Sequence, residues 1–186
     1  SNLNEGKSFD KPISEYDKPL GEACENVKHC PVDNKLDGKK AEGKEFVPEV
    51  ITRNSSLEGD HHPVTGVLFE RKQVENVNGE KLEGVFPVFE SLYDVQLPED
   101  LYQETDNTQF SCCNQKLKEA FENGELDCSK FDERQLEQIA NGDKPQGYTW
   151  HHSEELGKIE LVQSDLHDKT GHTGGKVIWG GGQDAR

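Results

Sequence analysis

Polar and apolar positions along the chain change character near residue 60. Before it, Lys, Glu, Asp, Gly and Pro dominate, aromatic residues are few and no period is sustained. Such a stretch cannot bury enough apolar surface to order itself. Residues 1–59 are therefore read as mostly loop, with a short helix near 20–27, serving as a linker or delivery segment. From His62 the pattern tightens. Val67-Leu68-Phe69 and Val85-Phe86-Pro87-Val88-Phe89 read as short strands, with Asn78-Gly79 as the hairpin turn between them. Pro98-Glu99-Asp100 reads as a helix start. Asp106 or Asn107 is expected to cap the next helix, which runs to about Asn123-Gly124 and buries Phe110, Cys113, Leu117 and Phe121. A further helix spans residues 129–139, with Phe131, Leu136 and Ile139 inward. After the breaker Pro145-Gln146-Gly147, Tyr148 to His152 forms a strand and Ile159 to Val162 its partner. Ser164 caps a helix that ends near Gly171. The last third thus reads strand, strand, helix, and the class is α+β.

Histidines change that picture. Four of the seven fall in residues 147–186: His151 and His152 on the first strand, His167 and His172 on or just beyond the helix. Imidazole is both the commonest metal ligand and the commonest base near neutral pH, and phosphodiester hydrolysis uses both roles. Adjacent strand residues point to opposite faces. His151 is expected to ligate and His152 to activate water, with the reverse assignment open. His167 and His172 are five apart, which separates them around an ideal helix, so both reach one ion only if the helix breaks at Gly171. Asp165 or Asp168 is an alternative ligand. Three protein ligands with open positions suit a catalytic rather than a closed structural site. The pair His61-His62 before Pro63 reads as a loop.

Charge pulls the other way. The formal net charge is −16, from 37 Asp and Glu against 21 Lys and Arg, and apolar residues are only 31% of the chain. An acidic protein is poorly suited to phosphate. The excess is uneven, however: residues 1–146 carry 31 acidic against 17 basic side chains, residues 147–186 only 6 against 4. A local basic patch from Arg71, Lys72, Lys158, Lys169, Lys176 and Arg186 would suffice over a screening length of about 8 Å. Lys158, Lys176 and Trp150 are the expected substrate contacts, although a tryptophan in this setting is more often a core anchor. The five cysteines do not suggest a disulfide scaffold; a local Cys24–Cys30 bridge is possible. No apolar run is long enough to cross a membrane and no leader is recognisable. The chain lacks methionine, so a fragment of a longer protein is expected, with Ser1-Asn2 left over from expression.

The order Gly147-Tyr148-Thr149-Trp150-His151-His152, then Leu161-Val162, then His167 and Gly171-His172-Thr173-Gly174-Gly175 resembles the WHH family of the HNH/endonuclease VII superfamily. His62-Pro63-Val64-Thr65-Gly66-Val67 through Val85 to Ser91 resembles the sequence that precedes this motif in such toxins. The resemblance covers roughly residues 60–182. It implies a ββα-metal core of the HNH/His-Me finger type at about 147–175, inside a nuclease domain at 60–186 with an added helical and short-strand subdomain. It implies a divalent metal (Zn2+, Mg2+ or Mn2+) at His151, His167 and His172, and His152 as base. It also implies a toxin domain of a polymorphic or contact-dependent growth inhibition effector, secreted or presented at the cell surface, that cleaves DNA in the target-cell cytoplasm and is neutralised by a cognate immunity protein. The superfamily's asparagine between the histidine pairs is missing here. Gln163 or Ser164 takes its place, or the role is absent. An RNase of the same fold is one rival. Another is a non-enzymatic module in which the four histidines close a structural zinc site.

Overall fold

The computed structural model describes residues 45–181. The helix expected near residues 20–27, the Cys24–Cys30 pair and Arg186 lie outside the described residues. The elements are β1 (Leu68–Glu75), β2 (Lys81–Val88), β3 (Asp94–Gln96), α1 (Asp106–Glu122), α2 (Glu133–Ala140), β4 (Tyr148–His152), β5 (Lys158–Gln163), α3 (Ser164–Lys169) and the single turn α4 (Lys176–Trp179). The α+β class holds. No described helix is long and apolar enough to cross a membrane.

Two small sheets organise the chain. β1 and β2 form an antiparallel hairpin in register from Leu68↔Val88 to Glu75↔Lys81. Its turn is the expected one: Asn76 Oδ1 accepts from the Asn78 and Glu80 N–H groups, and Gly79 takes a φ of 76° that a side chain would resist. The second sheet has the order β3-β5-β4. The two expected strands are its central and edge members. The third, β3, pairs antiparallel with β5 through Asp94↔Glu160 to Gln96↔Lys158; its three residues are too short and polar to announce themselves.

The helices depart from expectation in register rather than in kind. α1 is capped by Thr105, whose side chain accepts from Thr108 N–H, in place of Asp106 or Asn107. Its buried residues are Gln109, Cys113, Leu117 and Ala120, so the stripe is turned one position from the apolar one and leaves Phe110 and Phe121 half-buried. Pro98 opens only a 3-10 turn, Glu99–Leu101. The helix expected from residue 129 starts at Glu133, because Asp132 and Gln135 form a reciprocal capping box there. Ser164 is the first residue of α3 rather than its cap, and Gln163 precedes it without a side-chain bond.

One core lies between the hairpin, the three-stranded sheet and the helices. It joins Val74, Leu82 and Phe86 to Cys113 and Leu117 of α1, Ile139 of α2, Trp150, Ile159 and Leu161 of the sheet, and Ile178 and Trp179 of α4. Each such side chain stabilises the fold by about 1.5–3 kcal/mol. A second cluster, Val67, Phe89 and Val162, sits on the other side of the sheet. Segment 48–57 also packs, although it precedes the boundary expected after residue 59. Val50 N–H donates to Glu83 O, and Thr52 Oγ1 donates to Val85 O within the buried interior.

Candidate metal centre

Strand alternation builds the site. The register Trp150↔Leu161, His151↔Glu160, His152↔Ile159 puts Trp150, His152, Leu161 and Ile159 on the α1 side, and His151 with Glu160 on the opposite side. There His151 meets His167, from α3, and His172, three residues beyond the helix end. One nitrogen from each ring lies within 4.8 Å of the others. Ring centroids are 5.2 Å apart for His151 and His167, 4.9 Å for His151 and His172, and 4.7 Å for His167 and His172.

The break that brings His172 back differs from the expected one. α3 ends because Thr170 is extended, at φ −96° and ψ 101°, while Gly171 is not left-handed. Thr170 is held there by a 2.7 Å hydroxyl bond to Thr65. His172 Nδ1 lies 2.7 Å from Thr170 O. A carbonyl only accepts, so Nδ1 carries the hydrogen and Nε2 keeps its lone pair. Handing the second ring N–H to a backbone carbonyl is how metal-ligating histidines are oriented.

Electrostatics keep the cluster neutral. Burial, then His172 and His167, holds His151 well below the ordinary imidazole range. Burial also lowers His167, against the opposing pull of Asp168. His172 is lowered to about 4, chiefly by burial, with His167 and Arg53 adding to it against the Thr170 carbonyl. Neutral imidazole is the ligating form. A tetrahedral ion with bonds of 2.0–2.1 Å spaces its ligand nitrogens by about 3.3 Å, so modest ring rotations close the triad on a cation. The donor set fits a borderline metal such as zinc and leaves coordination positions open.

Phe89 is a wall of this site that the sequence did not reveal. Its ring centroid lies 4.8, 5.7 and 5.2 Å from those of His151, His167 and His172. Glu160 is a second omission. It shares the His151 face, and burial raises its carboxyl to about 7 although Lys158 opposes this. The sequence signal for Glu160 was present, a carboxylate facing a ligand histidine across two paired strands; for Phe89 there was none.

His152 does not join the triad. Its Nε2 is 2.7 Å from Gln109 Oε1. Gln109 Nε2 donates to Leu101 O and Tyr102 O, each at 2.9 Å, so Oε1 is fixed as the acceptor and His152 Nε2 as the donor. Lys176 Nζ enters the same network, donating to Glu104 O at 2.9 Å, to Gln109 Oε1 at 3.3 Å and to the Asp106 carboxylate. The four histidines therefore do not close one structural zinc site.

The expected substrate contacts are placed as follows. Trp150 is buried, and its Nε1–H donates to Asn114 Oδ1. Lys176 is fully buried. Both point inward because they lie on the α1 side of the sheet or on the turn that packs beneath it. Lys158 is part-exposed and faces Asp94, Glu155 and Glu160. Arg71 pairs with Glu49 and Glu58, and Lys72 with Glu154 and Glu155. The basic patch is thus threaded with carboxylates. Gln163 pairs with Tyr148 in the β4–β5 ladder and Ser164 N–H donates to Gly147 O, so both tie down the start of β4, while His62 Nδ1 accepts from the Val64 and Thr65 N–H groups of its own loop.

Residues 78–174, just over half of the chain, match the family described as the DNase/tRNase domain of colicin-like bacteriocin. The match contains β2 to α3 and all three triad histidines. No curated protein and no solved structure matches the chain.

Proposed function

The chain belongs to the family of DNase/tRNase domains of colicin-like bacteriocins, nuclease toxins of the bacteriocin type, and from that premise we propose that it is a metal-dependent endonuclease of the HNH type acting on DNA. The observation that carries this reading is the convergence of His151, His167 and His172 on one face of a strand–strand–helix unit. A divalent cation held there would polarise a phosphodiester and offset the charge gathering on the leaving oxygen. The chain's own part is orientation and exclusion. Thr170 O holds the His172 ring so that Nε2 faces inward, and Phe89 covers one side of the three rings and keeps water from it.

His152 as base follows from the resemblance. In this structure its ring lies beneath α1, and its Nε2–H is engaged by Gln109. To take a proton beside the triad it must leave that bond and pass round the strand end. The acidic surface makes grip on nucleic acid local and strongly salt-dependent. As a toxin domain it is proposed to travel as part of a larger secreted or surface-presented effector, of the contact-dependent growth inhibition type or a related one. It acts in the target-cell cytoplasm and is neutralised in the producer by a cognate immunity protein.

The test is cleavage of plasmid DNA and of tRNA, with chelator and with added Zn2+, Mg2+ or Mn2+. Metal-restored cleavage of DNA is expected, with His151→Ala at least about a hundredfold slower, since even the partners behind metal ligands are worth 10–100-fold. Cleavage of tRNA alone would move the substrate to RNA. Cleavage of neither polymer under any metal would overturn the enzyme reading.

A further inference from the structure

The third triad residue is the weakest point of the site by construction. His151 rides on a paired strand and His167 on a helix, but His172 sits in the stretch 170–175, outside any regular element. Its ring can face the others only if something outside the loop holds that backbone. In this structure a distant segment does. Asn54 Nδ2 donates to Gly171 O at 2.6 Å. Arg53 N–H donates to Thr173 Oγ1 at 3.0 Å. The two bonds grip the residues on either side of His172. The Arg53 guanidinium lies over Gly171, closely enough that a Cβ there would overlap it.

Asn54 is also the only described non-glycine residue with positive φ, at 62°. Asn is one of the few side chains that tolerate the left-handed region, so the residue suits the turn that carries its amide to Gly171. Two further contacts hold the segment: Thr52, two residues earlier, is buried and bonded to Val85 O, and Leu57 N–H donates to Asn54 O. The segment is anchored in the hairpin on one side and reaches the His172 loop on the other.

We propose that residues 52–54 form a strap that sets the affinity of the triad for its metal, with Asn54 and Thr173 as positioning residues for His172. The proposal rests on the metal-site reading above. Neither residue supplies a ligand atom. They act by removing loop freedom that would otherwise be lost when the ion binds, and outer partners of this kind are worth about 10–100-fold in metal affinity.

The experiment is titration of the full 186-residue chain with Zn2+ alone against a chromophoric chelator, together with the visible spectrum of the Co2+ form. Four variants are compared with the parent. Asn54→Gly keeps the backbone conformation and removes the amide. Asn54→Ala removes the amide and opposes the conformation. Thr173→Val removes the acceptor at constant shape, and Thr173→Ser restores it. The expected result is roughly tenfold weaker Zn2+ binding for Asn54→Gly and Thr173→Val. Asn54→Ala should be weaker still, and Thr173→Ser close to the parent. The Co2+ spectrum of the weakened forms should lose intensity or shift as His172 disengages. Variants that bind Zn2+ as tightly as the parent would overturn the strap and leave the metal site standing. A parent chain that binds no Zn2+ or Co2+ would overturn the metal site itself, and the strap with it. If the Asn54 variants do not fold, the Thr173→Val and Thr173→Ser pair decides the matter through the strap's other bond, from Arg53 N–H to Thr173 Oγ1.

Discussion

The two faces of β4 carry the same residue type at adjacent positions and use it in opposite ways. On one face His151 meets two other neutral imidazoles and an aromatic wall, with ring nitrogens gathered but not closed upon one another. On the other face His152 is closed into a network with Gln109, Lys176, Asp106 and three backbone carbonyls. The first arrangement spends folding stability on a set of lone pairs that a cation would use. The second converts the same chemistry into packing, tying α1 and α4 to the end of the strand. A histidine's role is thus decided by what the facing element offers it, a carbonyl-backed loop in one case and a buried amide in the other.

The strongest way to break this comparison is on the triad face. His167→Ala should lower metal-dependent cleavage at least about a hundredfold, while the melting temperature measured in chelator stays the same or rises, because a desolvated ring is removed. A large loss of chelated stability would mean that the triad holds the fold rather than an ion. His152→Ala comes next. A holding residue predicts a lower melting temperature and unchanged Zn2+ affinity. A base predicts a rate loss on the order of a hundredfold or more with little loss of stability. The two outcomes separate in one set of melts and single-turnover rates.

A smaller effect is expected from Gln109→Leu, which removes the amide that His152 and Lys176 share. Leaving buried partners unsatisfied costs about 1–3 kcal/mol each. Urea titration should show a lower midpoint, and Zn2+ titration no change. Gly175→Ala should cost about as much, because a Cβ there would overlap the Ser153 carbonyl oxygen.

Smallest is the acid response of the metal-free protein. His151, His167 and His172 have folded pKa values below the usual 6.5. The unfolded chain therefore binds protons first as pH falls, and the stability present above 6.5 is lost below it. Glu160, raised to about 7, works in the other direction between 7 and 4.5, but it is one group against three. A melting temperature lower by roughly 5 °C at pH 5 than at pH 7.5 is expected in chelator, and a flat profile would remove the neutral-triad account.

Much of this site could be read directly from the chain. Tyr148–His152 begins and ends where the pattern places it, because a breaker and an apolar run are local signals. The three histidines that the structure brings together are also named by residue type, and alternation alone separates His151 from His152. What escapes is whatever depends on distant partners. Gln109 lies outside the apolar stripe read from the sequence, and its burial follows from groups as far away as His152 and Lys176. Phe89 reads as a strand end. Segment 52–54 reads as linker, since its hold on the His172 loop depends on no period or motif of its own. Gly171 reads as the turn because glycine permits it, whereas Thr170 makes the turn through its hydroxyl contact with Thr65.

The strap contacts join residues 117 and 120 apart in sequence. Closures of that span come late in folding, after the local hairpins and helices are in place. The His172 loop is therefore seated only after both ends of the domain have emerged and docked, and a chain cut or still threading anywhere between them carries the histidines without their arrangement. For a nuclease toxin domain, competence is thereby tied to the completion of the whole domain.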